Sequence, residues 1–153
     1  MNDTQFRFQE LEIWKRAAKF SSVLFRLADK LDERRLYRFA EQLRSAVLSI
    51  TNNIAEGSGS VSRIDFANFL NTARRSTFEV ANILFLLSEN RYIEKADLKP
   101  IIGELEQESR MIFAFMRTLK SRSNGCCLTS PRSQLTPMLS PITVNNNCTL
   151  RLQ

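Results

Sequence analysis

The chain has 153 residues and a formal charge of +6, from 22 Lys and Arg against 16 Asp and Glu, with no histidine. That length suits one domain with a real core, and 43% hydrophobic against 25% charged residues, with only 4 glycines and 4 prolines, is a helical, globular balance. The missing imidazole removes the side chain most used for proton transfer near neutral pH and for holding metals.

The opening stretch MNDTQFRFQELEIWK lacks the charged-then-apolar layout of a signal peptide, and no run of about 18 apolar residues follows it. A cytoplasmic protein with no membrane partner is expected. Apolar residues first recur at helical spacing in Leu11, Trp14, Ala18, Ser21, Phe25 and Ala28. Ala17, Phe20, Leu24, Leu27 and Leu31 form the neighbouring stripe, so the first helix has a broad face for a core. A second helix carries Leu36, Phe39, Ala40, Leu43, Ala46, Val47, Ile50 and Ile54. Asp32 is its expected N-cap, with Glu33 favouring the positive end of the helix dipole.

The second helix runs into SITNNIAEGSGS, residues 49 to 60. A phosphate-cradling loop would need a preceding strand, spaced glycines and a Lys followed by Ser or Thr, none of which is present. The stretch reads as a helix end passing through Gly57 into a short turn. Asn53 and Glu56 are assigned to helix packing or a subunit interface. Ser62 and Asp65 have the spacing of a helix start, and the third helix then carries Phe66, Leu70, Ala73, Thr77, Val80, Leu84 and Leu87. The fourth uses Leu98, Ile101, Ile102, Leu105, Ile112, Met116 and Leu119. Pro100 fits only its first turn, which places the start at or slightly before Asp97. These stripes and short connections predict an all-α fold, an antiparallel up-down four-helix bundle spanning 1–123.

Residues 124–153 abandon the periodicity. They hold three of the four prolines, no acidic residue and all three cysteines, Cys126, Cys127 and Cys148. This composition predicts a disordered or loosely attached tail, with neither a disulfide framework nor a zinc site.

FQELEIWKRA (8–17), QLRSAVLSITNNIAEGSGS (42–60), DFANFLNTARRSTFEVANILFLL (65–87) and NRYI (90–93) together resemble the four-helix bundle family named for proteins encoded in intervening sequences of bacterial 23S rRNA genes. That family includes the accessory variability determinant of diversity-generating retroelements. The NIAEG signature (Asn53 to Gly57) and the Phe69, Leu70, Ala73, Ser76, Glu79 pattern carry the likeness. Members often have proline where Thr51 stands here, and the segment after Arg122 has no counterpart. The resemblance implies a homopentameric ring without known catalysis. For the retroelement branch it implies a basic barrel that contacts a reverse transcriptase and its RNA.

Chemistry within the chain points the same way. Glu104 and Glu108 lie one turn apart and invite a metal reading, but no Glu-x-x-His exists, so both are read as a solvated face, with no metal and no cofactor. Every acidic residue precedes position 109, leaving the last third uniformly positive. Arg34, Arg35, Arg38, Arg74, Arg75, Arg110, Arg117 and Lys120 are the candidate phosphate contacts, since arginine forks suit phosphate oxygens. In a ring the charge of +6 per chain multiplies and attracts a polyanion. Phe20, Phe25, Phe39, Phe66, Phe69, Phe115 and Trp14 are read as core.

The expected function is therefore a non-enzymatic oligomeric scaffold or accessory protein that contacts RNA or cDNA and a reverse transcriptase. The alternative is a protein-interaction module with no nucleic-acid binding.

Overall fold

The computed structural model describes residues 6–123; the tail and its cysteines lie outside the described residues. A short 3-10 turn, Arg7–Glu10, precedes α1 (Glu12–Glu33), α2 (Tyr37–Ser58), α3 (Arg63–Glu89) and α4 (Lys95–Ser123). No strand occurs among the described residues. Helix α2 packs on both α1 and α3, α3 packs on α4, and α4 closes back on α1 through the thinnest of these seams. The stripes meet in one core in which Leu24, Leu43, Ile50, Leu70, Leu84 and Ile112 are fully buried. Burial of such apolar faces supplies most of the stability of helices in a bundle.

The helix ends differ from expectation in instructive ways. Asp32 lies in the last turn of α1 and does not cap α2, which starts beyond Leu36 without a side-chain cap. Its carboxylate is taken by Arg44 Nη1 at 2.7 Å, while Arg44 Nη2 reaches Asp29 at 2.6 Å, so the acidic cluster ties α1 to α2. The end of α1 is closed by its own backbone. Leu36 N donates to Leu31 O at 2.9 Å and Arg35 N to Asp32 O at 2.8 Å, with Arg35 at φ 61°. Helix α3 ends the same way: Tyr92 N donates to Leu87 O at 2.8 Å, Arg91 N to Ser88 O at 3.0 Å, and Arg91 also sits at φ 61°. Both are Schellman caps in which arginine occupies the left-handed position that glycine usually fills. Arg34 Nη1 donates to Tyr92 O at 3.2 Å and holds the two caps together.

Gly57 does not end α2. The helix continues to Ser58 and is capped at Gly59. Gly57 instead makes room for α3, because a Cβ there would stand 2.6 Å from Phe66 Cδ2 and 2.8 Å from Phe69 Cβ. Ser62 caps α3 as its spacing suggests, its Oγ accepting from Asp65 N at 3.0 Å. Helix α4 starts at Lys95, which puts Pro100 in its second turn and leaves the Ala96 carbonyl without the N–H that a non-proline residue would supply.

Candidate functional site

The eight cations singled out in the sequence separate into two groups. Arg34, Arg35 and Arg38 crowd the connection between α1 and α2, all exposed. Arg74 is placed on the outer face of α3 and α4, where Arg110, Phe113, Arg117 and Lys120 follow one another on α4 at helical spacing. From the start of α4 near residue 95 to Arg110, the first of these cations on α4, is roughly 22 Å along the axis, so one short ligand cannot engage both groups.

Arg74 is the most constrained of them. Its guanidinium stands 5.0 Å from the Phe78 ring centroid and 5.2 Å from that of Phe113, a cation held between two aromatic faces across the α3–α4 seam. Its Nε is buried without a hydrogen-bond partner. Arg75, one residue on, is exposed. Arg110 is engaged locally, with Glu106 at 3.7 Å and Gln107 at 3.1 Å.

Phe78, Phe85 and Phe113 are 56%, 49% and 42% exposed, so the outer α3–α4 face is an apolar patch with arginines set into it. Beside it lie two open clefts of about 330 and 570 Å3 that share Phe85, Ile102 and Glu106. A second apolar groove, about 320 Å3, lies on the other pair of helices, floored by Phe25, Ala18 and Leu48. Trp14 lines that groove, half-buried, tilted against Phe8 at 4.9 Å and packed against the edge of the core. Phe20 and Phe66 are buried, whereas Phe25, Phe39, Phe69 and Phe115 pack at the core's edge.

Asn53 sits in the seam between α2 and α3. Its Nδ2 donates to Ser49 O at 2.7 Å and lies 3.1 Å from Ser49 Oγ, which in turn meets Ser76 Oγ at 2.8 Å. Glu56 is exposed on the surface of α2.

The reading of Glu108 as part of a solvated face is overturned. Glu108 has 0% exposure, in register with Leu105 and Ile112 on the buried side of α4, and neither carboxyl oxygen has a hydrogen-bond partner. Arg16 Nε of α1 lies 3.9 Å from Oε2, but its Nη2 is committed to Glu104, which is half exposed. Burial pushes the Glu108 carboxyl up to about 8, with Arg16 opposing the rise and Glu104 adding to it. The group is thus held neutral across much of the physiological range. Among the described residues no cluster of three His, Cys, Asp or Glu is placed to hold a metal. No helix among them is long and apolar enough to cross a membrane.

Arg26, Lys30 and Arg91 were not singled out in the sequence, yet they surround one groove with Arg34. The signal that could have found the first two is the spacing of Arg26, Lys30 and Arg34 along one face of α1.

The family model described as 23S rRNA-intervening sequence protein matches residues 9–114. A crystal structure of a protein of unknown function from the S23 ribosomal protein family of Bacteroides thetaiotaomicron VPI-5482 superposes with a TM-score of 0.66 at 24% identity, covering 69% of this chain and 98% of that one. At that identity the likeness speaks for the fold. A comparison with curated proteins finds no match.

Proposed function

Because the chain belongs to the 23S rRNA-intervening sequence protein family, we propose that it is a non-catalytic, self-associating scaffold whose basic surface contacts RNA. The observation that carries this reading is the pair of apolar flanks. Phe78, Phe85 and Phe113 on α3–α4, and the groove floored by Phe25 and Leu48 on α1–α2, lie on different helix pairs and are left uncovered by any helix among the described residues. Two unlike apolar patches on one subunit suit a head-to-tail contact that repeats around a ring. A cytoplasmic homopentamer of antiparallel up-down bundles is the assembly this reading favours. The short connections and the Arg34–Tyr92 tie between the first and third of them support the up-down order.

In such a ring Arg74, Arg75, Arg110, Arg117 and Lys120 recur around the particle, and a reverse transcriptase working on RNA is the kind of complex it would serve. Counterion release makes that contact steeply salt-dependent. Light scattering of the purified protein, with and without a structured RNA at low and high salt, tests both halves. The expected result is a pentameric mass that retains RNA only at low salt. Arg74→Glu with Arg75→Glu abolishes retention and leaves helicity intact. Retention unchanged in that variant removes the phosphate role, and a binder that holds a protein partner at high salt but ignores RNA replaces the proposal with a protein-interaction module.

A further inference from the structure

The seam between α1 and α4 is the thinnest in the bundle, and toward the α3–α4 connection it opens into a groove of about 470 Å3, a size ordinary for small-ligand sites, roughly 300–1,000 Å3. One rim is cationic. Arg26, Lys30 and Arg34 stand four residues apart along α1, each about 6 Å further along the axis, and Arg91 joins them from the α3–α4 connection. The other rim carries Glu94 and Asp97 at the start of α4. Between the rims Leu31 and Ile93, 2% and 8% exposed, make an apolar floor that Tyr92 adjoins.

Among the described residues, none of the four cations forms an ion pair with either carboxylate. The groove keeps its two rims apart and leaves their hydrogen-bonding capacity free. Arg34 spends one Nη on the Tyr92 carbonyl, which ties the cationic rim to the backbone of the α3–α4 connection. Arg91 holds the left-handed conformation at φ 61°, where a glycine would sit without strain.

We infer that this groove binds a nucleoside phosphate, free or as the phosphorylated end of an RNA strand. The phosphate sits on the Arg26, Lys30, Arg34 and Arg91 rim, where guanidinium forks bind its oxygens. The base lies on the apolar floor against Tyr92, and sugar hydroxyls donate to Glu94 and Asp97. A purely basic site would take any polyanion; an acidic rim and an apolar floor call for a ligand that also carries a ring and hydrogen-bond donors. The groove stands apart from the α3–α4 arginines, so either site can fail alone.

Calorimetric titration of the full chain with ATP, GTP, adenosine and tripolyphosphate tests the inference. At least one of the two nucleotides saturates one site per chain and binds about tenfold or more tighter than adenosine or tripolyphosphate. Arg26→Ala with Lys30→Ala, both exposed, weakens it by about tenfold or more at unchanged helicity. Competition by a 5′-phosphorylated oligoribonucleotide, but not by its 5′-hydroxyl counterpart, identifies the RNA end as the source; absence of competition identifies the free nucleotide. The inference is overturned if neither ATP nor GTP saturates the protein, if tripolyphosphate binds as tightly as either, or if the double variant binds like the wild type. Should it fail while RNA retention still responds to Arg74→Glu with Arg75→Glu, the groove is wrong and the scaffold reading stands.

Discussion

Glu108 makes the stability of this bundle fall as the solution becomes more alkaline. In the unfolded chain its carboxyl ionises near 4.5, whereas the folded protein keeps the proton until about 8. Between those values the folded state binds more protons than the unfolded one, so unfolding becomes easier as pH rises. Each pH unit in the window is worth about 1.4 kcal/mol, which sums to about 3 to 4 kcal/mol lost between about pH 5 and pH 8. Small domains have only about 5–15 kcal/mol of stability in total, so the loss is large. Glu108→Gln keeps the shape and removes the titration. Urea unfolding at fixed protein concentration, followed by far-ultraviolet circular dichroism, should show the two proteins within about 1 kcal/mol of each other near pH 5. Near pH 8 the glutamine variant should lead by about 3 to 4 kcal/mol. Glu108→Met should be more stable than either at both values, by about 1–3 kcal/mol at the acidic end, because the two buried carboxyl oxygens that lack partners are gone. A difference between wild type and glutamine variant that stays constant over this range would refute the reasoning, since it would mean that Glu108 does not change its proton affinity on folding.

Gly57→Ala should lower the melting temperature even though alanine is the better helix former by about 1 kcal/mol, because the new Cβ meets Phe69 Cβ, an atom fixed close to the α3 backbone; a net cost of about 1–3 kcal/mol is expected by thermal denaturation. Ser62→Ala should cost about 1 kcal/mol by removing the cap on Asp65 N, read in the same assay. Arg35→Gly relieves a left-handed arginine and should stabilise the fold by about 1 kcal/mol. Phe78→Ser with Phe113→Ser should shift the light-scattering mass toward the monomer without loss of helicity; an unchanged mass would take the α3–α4 face out of the assembly.

Periodic apolar spacing determined the four α-helices of the described residues and which residues of each face inward, because a helix repeats every 3.6 residues whatever it packs against. Leu24, Leu43, Leu70 and Ile112 needed nothing more to be placed in the core. The start of α3 was also legible, since the Ser62 cap is a contact within one turn. Eight candidate cations could be named, but not where they meet. Arg34 and Tyr92 are 58 residues apart in the chain and share a hydrogen bond only because two helix caps end side by side. Gly57 reads locally as a helix stop, and only the approach of Phe66 and Phe69 shows why the residue is small. Glu108 lies in register with Leu105 and Ile112, yet a carboxylate at such a spacing is solvated or buried according to whether another helix covers it. Helix α1 does, bringing Arg16 to within 3.9 Å and no hydrogen bond. Local sequence set the elements and their faces; what each polar group gained or lost was decided by its neighbour across the seam, because desolvation depends on every atom that excludes water and not on the residue alone.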